Sequence, residues 1–241
     1  MEAKVYLGIG HGGSDPGAVA NGLEEADVNL AVGLACRDEL ERHDVLVLLS
    51  RTKDESDTVS AKVAECNAFN PALAADIHFN AGGGDGAEVY HHVGGGTGKT
   101  LAANIAAEIA AIGQNLRYGD SGKKDGLKTK KNSSGQDYYG FIRSTYCPAV
   151  ITEGAFLDNK NDVQIIDTPA EQKAMGIAIA KGFLKTLNIA YIAPAAAAPE
   201  ASTVLYRVQV GAFSQLPNAE RLRNELQAKG YKDAFIVAGK K

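Results

Sequence analysis

Two histidines and two carboxylates of this sequence stand where apolar runs break into polar or glycine-rich stretches. His11 follows one such run and lies among glycines, His78 follows a second run, and Glu153 follows a third. The other carboxylate belongs to Glu24 or Glu25, which are adjacent and which composition alone does not separate. Two imidazoles and one carboxylate are a usual zinc ligand set that leaves one position for water. A further carboxylate beside that water can serve as a general base, so the set predicts a zinc hydrolase.

Alternating strand-like and helix-like segments must position these side chains. The apolar patterns predict strands over 4–9, 45–49, 74–79, 86–92 and 148–153. They predict helices over 26–42, 58–69, 98–113 and 169–187. Such alternation predicts an α/β fold with a mostly parallel twisted sheet and helices on both faces. Because the carboxyl ends of parallel strands share one edge of a sheet, we expect the candidate residues to meet there.

Composition and charge bear on the kind of partner. The 241 residues are 45% hydrophobic and 22% charged, which is ordinary for a globular protein. The net charge of −4 predicts no nucleic-acid partner, and no apolar run approaches the roughly 20 residues of a membrane span. Residues 117–143 and 204–241 are basic, each with seven Lys or Arg against three acidic residues. Either stretch could meet an anionic partner or form solvated surface, and both interpretations stay open.

The cysteines and the start of the sequence bear on where the protein is made. Cys36, Cys66 and Cys147 are odd in number and widely spaced, which favours small buried side chains over a disulfide or a thiol catalyst. The sequence starts with a predicted strand and shows no apolar export segment. We therefore expect synthesis in the cytoplasm without a signal peptide.

A low-complexity segment divides the chain into two parts. Residues 191–203 are rich in alanine and contain two prolines, which favours an extended linker. We therefore expect a large domain over 1–190 and a small α+β module over 204–241. The module's pattern predicts a strand over 204–211, a helix over 219–229 and a strand over 234–237. Its 38 residues are too few to bury a convincing core alone.

Four stretches of the large domain resemble a known enzyme family. They are 10–18 (GHGGSDPGA), 22–30 (GLEEADVNL), 77–81 (IHFNA) and 153–159 (EGAFLDN). In this order they resemble the motifs of the zinc-dependent N-acetylmuramoyl-L-alanine amidases, and the resemblance covers roughly residues 4–188. It selects Glu25, two positions before the Asp-Val-Asn-Leu run, over Glu24.

The resemblance implies a role for each candidate residue. One zinc ion is expected to be bound by His11, Glu25 and His78, with Glu153 as the catalytic carboxylate. The expected substrate is the amide between N-acetylmuramic acid and the L-alanine of the peptidoglycan stem peptide. Asn80 and Arg143 are candidates for positioning the substrate, and a structural salt bridge is an equal interpretation of Arg143.

The small module resembles a second family. Residues 206–214 (YRVQVGAFS), with 218–220 and 230–231, are similar to the SPOR repeat that binds bacterial cell-wall peptidoglycan. A complete SPOR domain contains two strand–helix–strand halves, whereas 204–241 contains one. Because a half-domain leaves a strand edge and an apolar face exposed, we expect two chains to pair their modules as a homodimer. A truncated tail is the competing interpretation.

Together these patterns predict a peptidoglycan hydrolase that its tail targets to the cell wall and that acts there after release from the cytoplasm. Bacteriophage endolysins and mother-cell lytic enzymes act in this way, and we favour an endolysin for host-cell lysis. One alternative is another zinc peptidase or amidohydrolase acting on cell-wall peptides. The other is a non-catalytic wall-binding protein. The bond that is cleaved, if any, separates these hypotheses.

Overall fold

A computed structural model of the protein describes residues 2–194 and 208–238. Its strands are β1 (Lys4–Ile9), β2 (Val19–Ala20), β3 (Leu23–Glu24), β4 (Leu46–Leu49), β5 (Leu73–Asn80), β6 (Glu88–His91), β7 (Leu127–Lys128) and β8 (Ala149–Phe156). Its α-helices are α1 (Glu25–Glu41), α2 (Val59–Phe69), α3 (Thr97–Ala111), α4 (Gly140–Ser144), α5 (Pro169–Thr186) and α6 (Leu216–Ala228), and a 3-10 helix spans Asp162–Ile165. Every strand and helix predicted in the first 188 residues is present, with bounds that differ by three residues at most.

Six strands form one mixed sheet in the order β4-β1-β5-β8-β6-β7. All neighbouring strands are parallel except β6, which runs antiparallel to β8. The sheet is therefore mostly parallel, as predicted. β1, β5 and β8 are adjacent at its centre, so the segments that follow or contain the candidate residues lie side by side.

Apolar side chains cover both faces of the sheet. Along β1, Val5, Leu7 and Ile9 join one buried cluster with α1, α3 and α5, whereas Tyr6 joins a second cluster with α2 and α4. Successive side chains of a strand point to opposite faces, so this division places helices on both sides. The predicted α/β architecture is confirmed.

Five short elements were not predicted. These are β2, β3, β7, α4 and the 3-10 helix, each of two to five residues, which is too short for a hydrophobic period to register. β2 and β3 form a hairpin around Asn21 and Gly22, both of which have positive φ. Asn-Gly is a strong signal for a two-residue hairpin turn, so this pair was detectable from the sequence.

The C-terminal module is a separate compact unit, since the chain divides at Ile192 and Ala193. The predicted helix over 219–229 is confirmed as α6. The predicted strand over 234–237 is wrong, and so is the part of the first predicted strand over 208–211, because these residues form no strand in the described chain. The rest of that strand, 204–207, lies outside the described residues. A strand needs a partner for its backbone groups, and alternation in the sequence does not supply one.

No helix within 2–194 or 208–238 has the length and apolar character needed to cross a membrane.

Candidate metal centre and catalytic carboxylate

His11 lies two residues after the end of β1 and directly before the tight turn that Gly12 and Asp15 close. Its φ is 57°, and the backbone before it is anchored by a 3.0 Å hydrogen bond from the Gly10 amide to the carbonyl of Ile77 in β5. A Cβ atom on Gly10 would stand 2.4 Å from Cε1 of His78. Glycine is therefore required at position 10, because it lets the backbone after β1 approach the imidazole of β5.

Glu25 is the first residue of α1, and its side chain is buried with 4% exposure. Its carboxylate accepts hydrogen bonds from the backbone amides of Ala18 at 3.0 Å and Phe79 at 3.1 Å. Glu24, by contrast, is exposed in β3. The structure thus places Glu25 in the interior and Glu24 at the surface.

Both imidazoles reach the Glu25 carboxylate. Nε2 of His11 lies 3.2 Å from Oε2 of Glu25, and Nδ1 of His78 lies 3.0 Å from Oε1. The two rings are 5.0 Å apart between centroids and nearly perpendicular, at 84°. One potential ligand atom from each of the three residues lies within 4.8 Å of the others. The three side chains therefore converge on one point, as a metal ligand set must.

Each imidazole also meets a second carboxylate through its other ring nitrogen. Nδ1 of His11 lies 2.8 Å from Oδ2 of Asp15, and Nε2 of His78 lies 3.5 Å from Oδ2 of Asp76. Carboxylates behind metal-binding histidines commonly fix the ring orientation and raise its basicity. Asp76 is itself held by Nζ of Lys62 at 2.8 Å, and both of these side chains are buried.

Without a metal ion, the two imidazoles favour their protonated form and the Glu25 carboxylate favours its ionised form. Burial disfavours the charged form of His78, but Asp76 and Glu25 outweigh burial and raise the pKa of this imidazole to about 10. The hydrogen bond with Glu25 raises the pKa of His11. Burial alone would raise the pKa of Glu25, yet the bonds from both histidines bring it well below its usual range. A cation that replaced these protons would find neutral imidazoles and a carboxylate, so the donor set fits zinc.

Glu153 lies on β8 directly beside His78 of β5, its partner in the parallel register. Register partners on adjacent strands project from the same face of a sheet. β8 continues to Phe156, three residues past its predicted end, so Glu153 lies within the strand rather than at its end. Its Oε2 is buried and has no hydrogen-bond partner among the described residues. Burial raises the pKa of Glu153 to about 7, with Glu25 and Glu88 adding to the increase and His78 opposing it.

Asn80 acts on this arrangement through Glu88, the antiparallel register partner of Glu153 on β6. Nδ2 of Asn80 donates to Oε1 of Glu88 at 3.1 Å. The other oxygen of Glu88 pairs with Nε of Arg117 at 2.8 Å. The structure thus brings Asn80 next to the candidate centre but engages its amide in holding a neighbouring carboxylate.

Arg143, at the end of α4, is not brought to the metal cluster by any of its contacts. Nη1 donates to the carbonyls of Asp137 at 2.7 Å and Tyr138 at 2.9 Å. Within the described residues it forms no ion pair with Glu153 or with any other carboxylate. These contacts fix the loop before α4, and the salt-bridge interpretation of Arg143 is not what the structure shows.

Part of the basic stretch 117–143 lines a cavity. Its volume is about 370 Å³, and its lining includes Arg117, Lys124 and Lys128 with the acidic Asp85. Arg117 joins this cavity to the catalytic region, because the same guanidinium pairs with Glu88 and stacks over the ring of Phe156 at 4.8 Å.

Sequence reasoning missed the groups that support the ligands. Asp76 interrupts the apolar run Ala74, Ala75 and Ile77, which is a signal for a buried, paired charge. Asp15 stands in the glycine-rich stretch after β1, four positions after His11. Lys62 gave no signal, because a lysine within a helix is usually exposed.

Comparisons with known proteins agree with this geometry. Residues 5–185 match the N-acetylmuramoyl-L-alanine amidase family Amidase_3, and residues 177–240 match the SPOR domain family. The SPOR match thus starts before the predicted module boundary at 204. That boundary stays a prediction.

Individual relatives carry related names. The chain is 34% identical over 236 residues to N-acetylmuramoyl-L-alanine amidase CwlM of Bacillus licheniformis, covering 97% of this chain and 84% of that protein. It is 32% identical to the sporulation-specific N-acetylmuramoyl-L-alanine amidase of Bacillus subtilis, with the same coverage. It is 30% identical to the endolysin of Bacillus phage SPP1, covering 78% of this chain and 68% of that protein.

A solved structure shares the fold of the large domain. The N-acetylmuramoyl-L-alanine amidase AmiC2 of Nostoc punctiforme superposes with a TM-score of 0.65 and 27% identity, covering 77% of this chain and 97% of that chain. Family match, relatives and fold agree over the part of the chain that carries the His-Glu-His cluster and Glu153. The chain therefore belongs to the N-acetylmuramoyl-L-alanine amidases, the enzymes that hydrolyse an amide bond of peptidoglycan.

Proposed function

We propose that this chain cleaves the amide between N-acetylmuramic acid and L-alanine with one zinc ion held by His11, Glu25 and His78. One observation carries the proposal: the partly buried Glu153 has a buried, unpartnered Oε2 and lies beside His78, one of the three converging side chains, on the neighbouring strand. A buried carboxylate without a partner is costly, and such costs concentrate where a group must act on a substrate.

The residues divide the chemistry between binding and proton transfer. Zinc, when bound, supplies a Lewis acid that polarises a carbonyl and lowers the pKa of water. Glu153 accepts the proton of the attacking water and delivers it to the departing amine of L-alanine. Burial favours the protonated form of Glu153 and so raises its pKa above the usual range of a carboxyl, which makes it a stronger base for this proton transfer. Asp15 and Asp76 keep the two imidazoles oriented.

Substitutions at three positions test this division. Glu153→Gln keeps the size of the side chain and removes the base, so kcat should fall about 10² to 10⁴-fold while bound zinc stays at one equivalent. His78→Ala should lose the zinc itself. Glu24→Gln, at the exposed neighbour of Glu25, is the matched control and should retain the parent rate. A Glu153→Gln enzyme with a rate within tenfold of the parent would refute the proposed base.

The basic cavity is suited to the acidic groups of the stem peptide. Arg117, Lys124 and Lys128 bring three cations to it against the single carboxylate of Asp85. We expect the double change Lys124→Ala with Lys128→Ala to raise KM for a soluble muramoyl peptide several-fold and to leave kcat unchanged. Lys173→Ala, at an exposed position of α5, is the control. An unchanged KM would exclude this role.

The SPOR match supports a wall-targeting role for the C-terminal module. Binding can be measured on the inactive Glu153→Gln chain, which does not consume its ligand, by co-sedimentation with purified peptidoglycan. Tyr231→Ala, at a side chain that is 66% exposed, should lower the bound fraction. The rate on a soluble substrate should not change, and equal sedimentation of both chains would contradict targeting by the module.

Exposed apolar side chains of the module support the homodimer. Val208, Val210 and Val237 are 86%, 61% and 66% exposed, and a second copy of the module is the occupant we propose for this surface. Sedimentation at micromolar concentration should give a dimer, and Val210→Asp with Val237→Asp should give a monomer. A monomeric parent chain would refute the pairing.

We propose host-cell lysis as the biological role, with the enzyme made in the cytoplasm and acting on the wall after release. The similarity to a phage endolysin supports this role, and the similarity to a sporulation-specific amidase supports lysis of a mother cell instead. Bacteria that express the chain internally should stay intact until their membrane is permeabilised and should then lyse. Lysis without permeabilisation would exclude release as the controlling step.

A further inference from the structure

Two of the three cysteines meet in the fold although 81 positions separate them in the sequence. Sγ of Cys66 in α2 lies 3.8 Å from Sγ of Cys147, which stands two residues before β8. Cys36 is buried in the other apolar cluster and is not their neighbour. The expectation of small buried side chains therefore describes Cys36 fully but leaves out the contact between the other two.

Non-covalent contacts already hold these two segments together. Nδ2 of Asn67 donates to the carbonyl of Ser144 at 3.0 Å, and the amide of Tyr146 donates to Oδ1 of Asn67 at 2.8 Å. Asn67 follows Cys66 directly, and Tyr146 precedes Cys147 directly. The contacts of Asn67 with Ser144 and Tyr146 thus hold the backbones next to both cysteines in place, and these contacts keep the two sulfur atoms close together.

The two thiols differ in access and in acidity. Cys147 is partly exposed, whereas Cys66 is buried. The hydrogen bond from Cys66 lowers the pKa of the Cys147 thiol and correspondingly raises that of Cys66. Because the thiolate is the nucleophile in disulfide exchange, Cys147 is the sulfur that an external reagent meets first.

We propose that Cys66 and Cys147 are a disulfide site, which closes when the chain meets a small-molecule disulfide as oxidant and leaves Cys36 reduced. In the first step the Cys147 thiolate attacks the oxidant, forms a mixed disulfide and releases one thiolate of the reagent. In the second step Cys66 gives its proton to solvent, attacks Sγ of Cys147 and releases the second reagent thiolate. The two protein thiols lose two electrons and two protons, and the oxidant is reduced to two thiols. Extracytoplasmic conditions, where peptidoglycan lies, favour such bonds.

The test is oxidation of the full chain with oxidised glutathione. Free thiols titrated after denaturation should fall from three to one, and proteolysis without reductant should release a peptide pair that links Cys66 to Cys147. The Cys36→Ala chain is the matched control and should form the same link. A chain that keeps three thiols, or one that carries glutathione on Cys147 without a link, would overturn the proposal.

Thermal unfolding supplies a second measurement. A bond across 81 positions closes a long loop, so the oxidised chain should melt roughly 10 °C above the reduced chain. The Cys66→Ala chain should show no such rise under the same oxidant. A linked chain that melts at or below the temperature of the reduced chain would show that the reduced fold does not hold the geometry of the bond, and would overturn the inference that the fold prepares this site.

Discussion

Replacing Glu153 by glutamine should stabilise the protein while it lowers kcat about 10² to 10⁴-fold. Glu153 is partly buried on β8, and its Oε2 is buried without a partner among the described residues. Burial raises its pKa from 4.5 to about 7, which means that the fold disfavours the ionised form. Glutamine has the same shape and no charge, so Glu153→Gln removes the penalty and retains the packing.

The magnitude follows from the linkage between protonation and folding. A rise of about 2.5 pKa units corresponds to about 3 kcal/mol at 1.36 kcal/mol per unit. Because the folded pKa is higher than the unfolded one, the native state binds more protons between these values. The neutral carboxyl makes its full contribution to the free energy of unfolding below about pH 4.5, and this contribution is lost as the pH rises through about 7. The difference in the free energy of unfolding between Glu153→Gln and the parent should therefore increase by about 3 kcal/mol in favour of the variant across this range. This corresponds to about 6–12 °C in Tm.

Urea unfolding of the metal-free proteins at about pH 4.5 and about pH 8.5 measures how the stability difference between Glu153→Gln and the parent changes with pH. Working without metal is essential, because a nearby cation would itself lower the pKa of Glu153. Glu24→Gln, at the exposed neighbour of Glu25, controls for the loss of one surface charge and should show no comparable growth. An advantage of Glu153→Gln that is equal at both pH values would refute the claim that Glu153 is destabilised by burial.

Three further predictions concern the supports of the metal centre. Lys62→Met leaves the buried Asp76 carboxylate without its cation, so urea unfolding should show a loss of about 3–5 kcal/mol; a loss below about 1 kcal/mol would contradict the pairing. Asp15→Asn should weaken zinc binding about 10 to 100-fold in a chelator competition, whereas Asp27→Asn on the exposed side of α1 should not; equal affinities would remove the role given to the Asp15–His11 contact. Removal of zinc by a chelator should lower the unfolding free energy by about 3–4 kcal/mol, relative to a metal concentration 10² to 10³ times Kd, and added zinc should restore it; an unchanged melting curve would exclude a resident ion.

The long elements were predictable because each carries enough periodic residues to show its buried face. In α3, Leu101, Ile105 and Ile109 recur at four-residue spacing, and all three are fully buried. In β1, β5 and β8, apolar runs bounded by glycine or polar residues indicate buried strands, and they form the centre of the sheet. Elements of two to five residues depend on tertiary contacts, which no local pattern records.

Residue type and position identified the candidate ligands but not their environment. His11 follows β1 and His78 lies within the neighbouring strand β5, so their meeting follows from the topology. Glu24 and Glu25 differ by one position, and only the change from β3 to α1 between them buries one and exposes the other. The family resemblance made that choice where the local pattern did not.

Two contacts lay beyond prediction because they join different elements of the fold. Lys62 meets Asp76 across 14 positions, and Cys66 meets Cys147 across 81. Arg143 lies near a candidate carboxylate in sequence but donates to loop carbonyls in the fold, and its role in positioning substrate stays a prediction. In the C-terminal module, alternating apolar residues predicted strands. Such a pattern shows which side chains are apolar, but it does not show whether a neighbouring strand is present to pair with them.

The bond that we propose this chain cuts joins the glycan to its stem peptide. Mass spectrometry of the soluble products from purified peptidoglycan identifies that bond, with the Glu153→Gln chain as the control. We predict free stem peptides that begin with L-alanine, with glycan strands left intact and release from the control slower by about 10²-fold or more. Peptides cut at an internal bond would indicate a zinc peptidase instead, and a zinc-loaded chain that releases nothing would be a wall-binding protein.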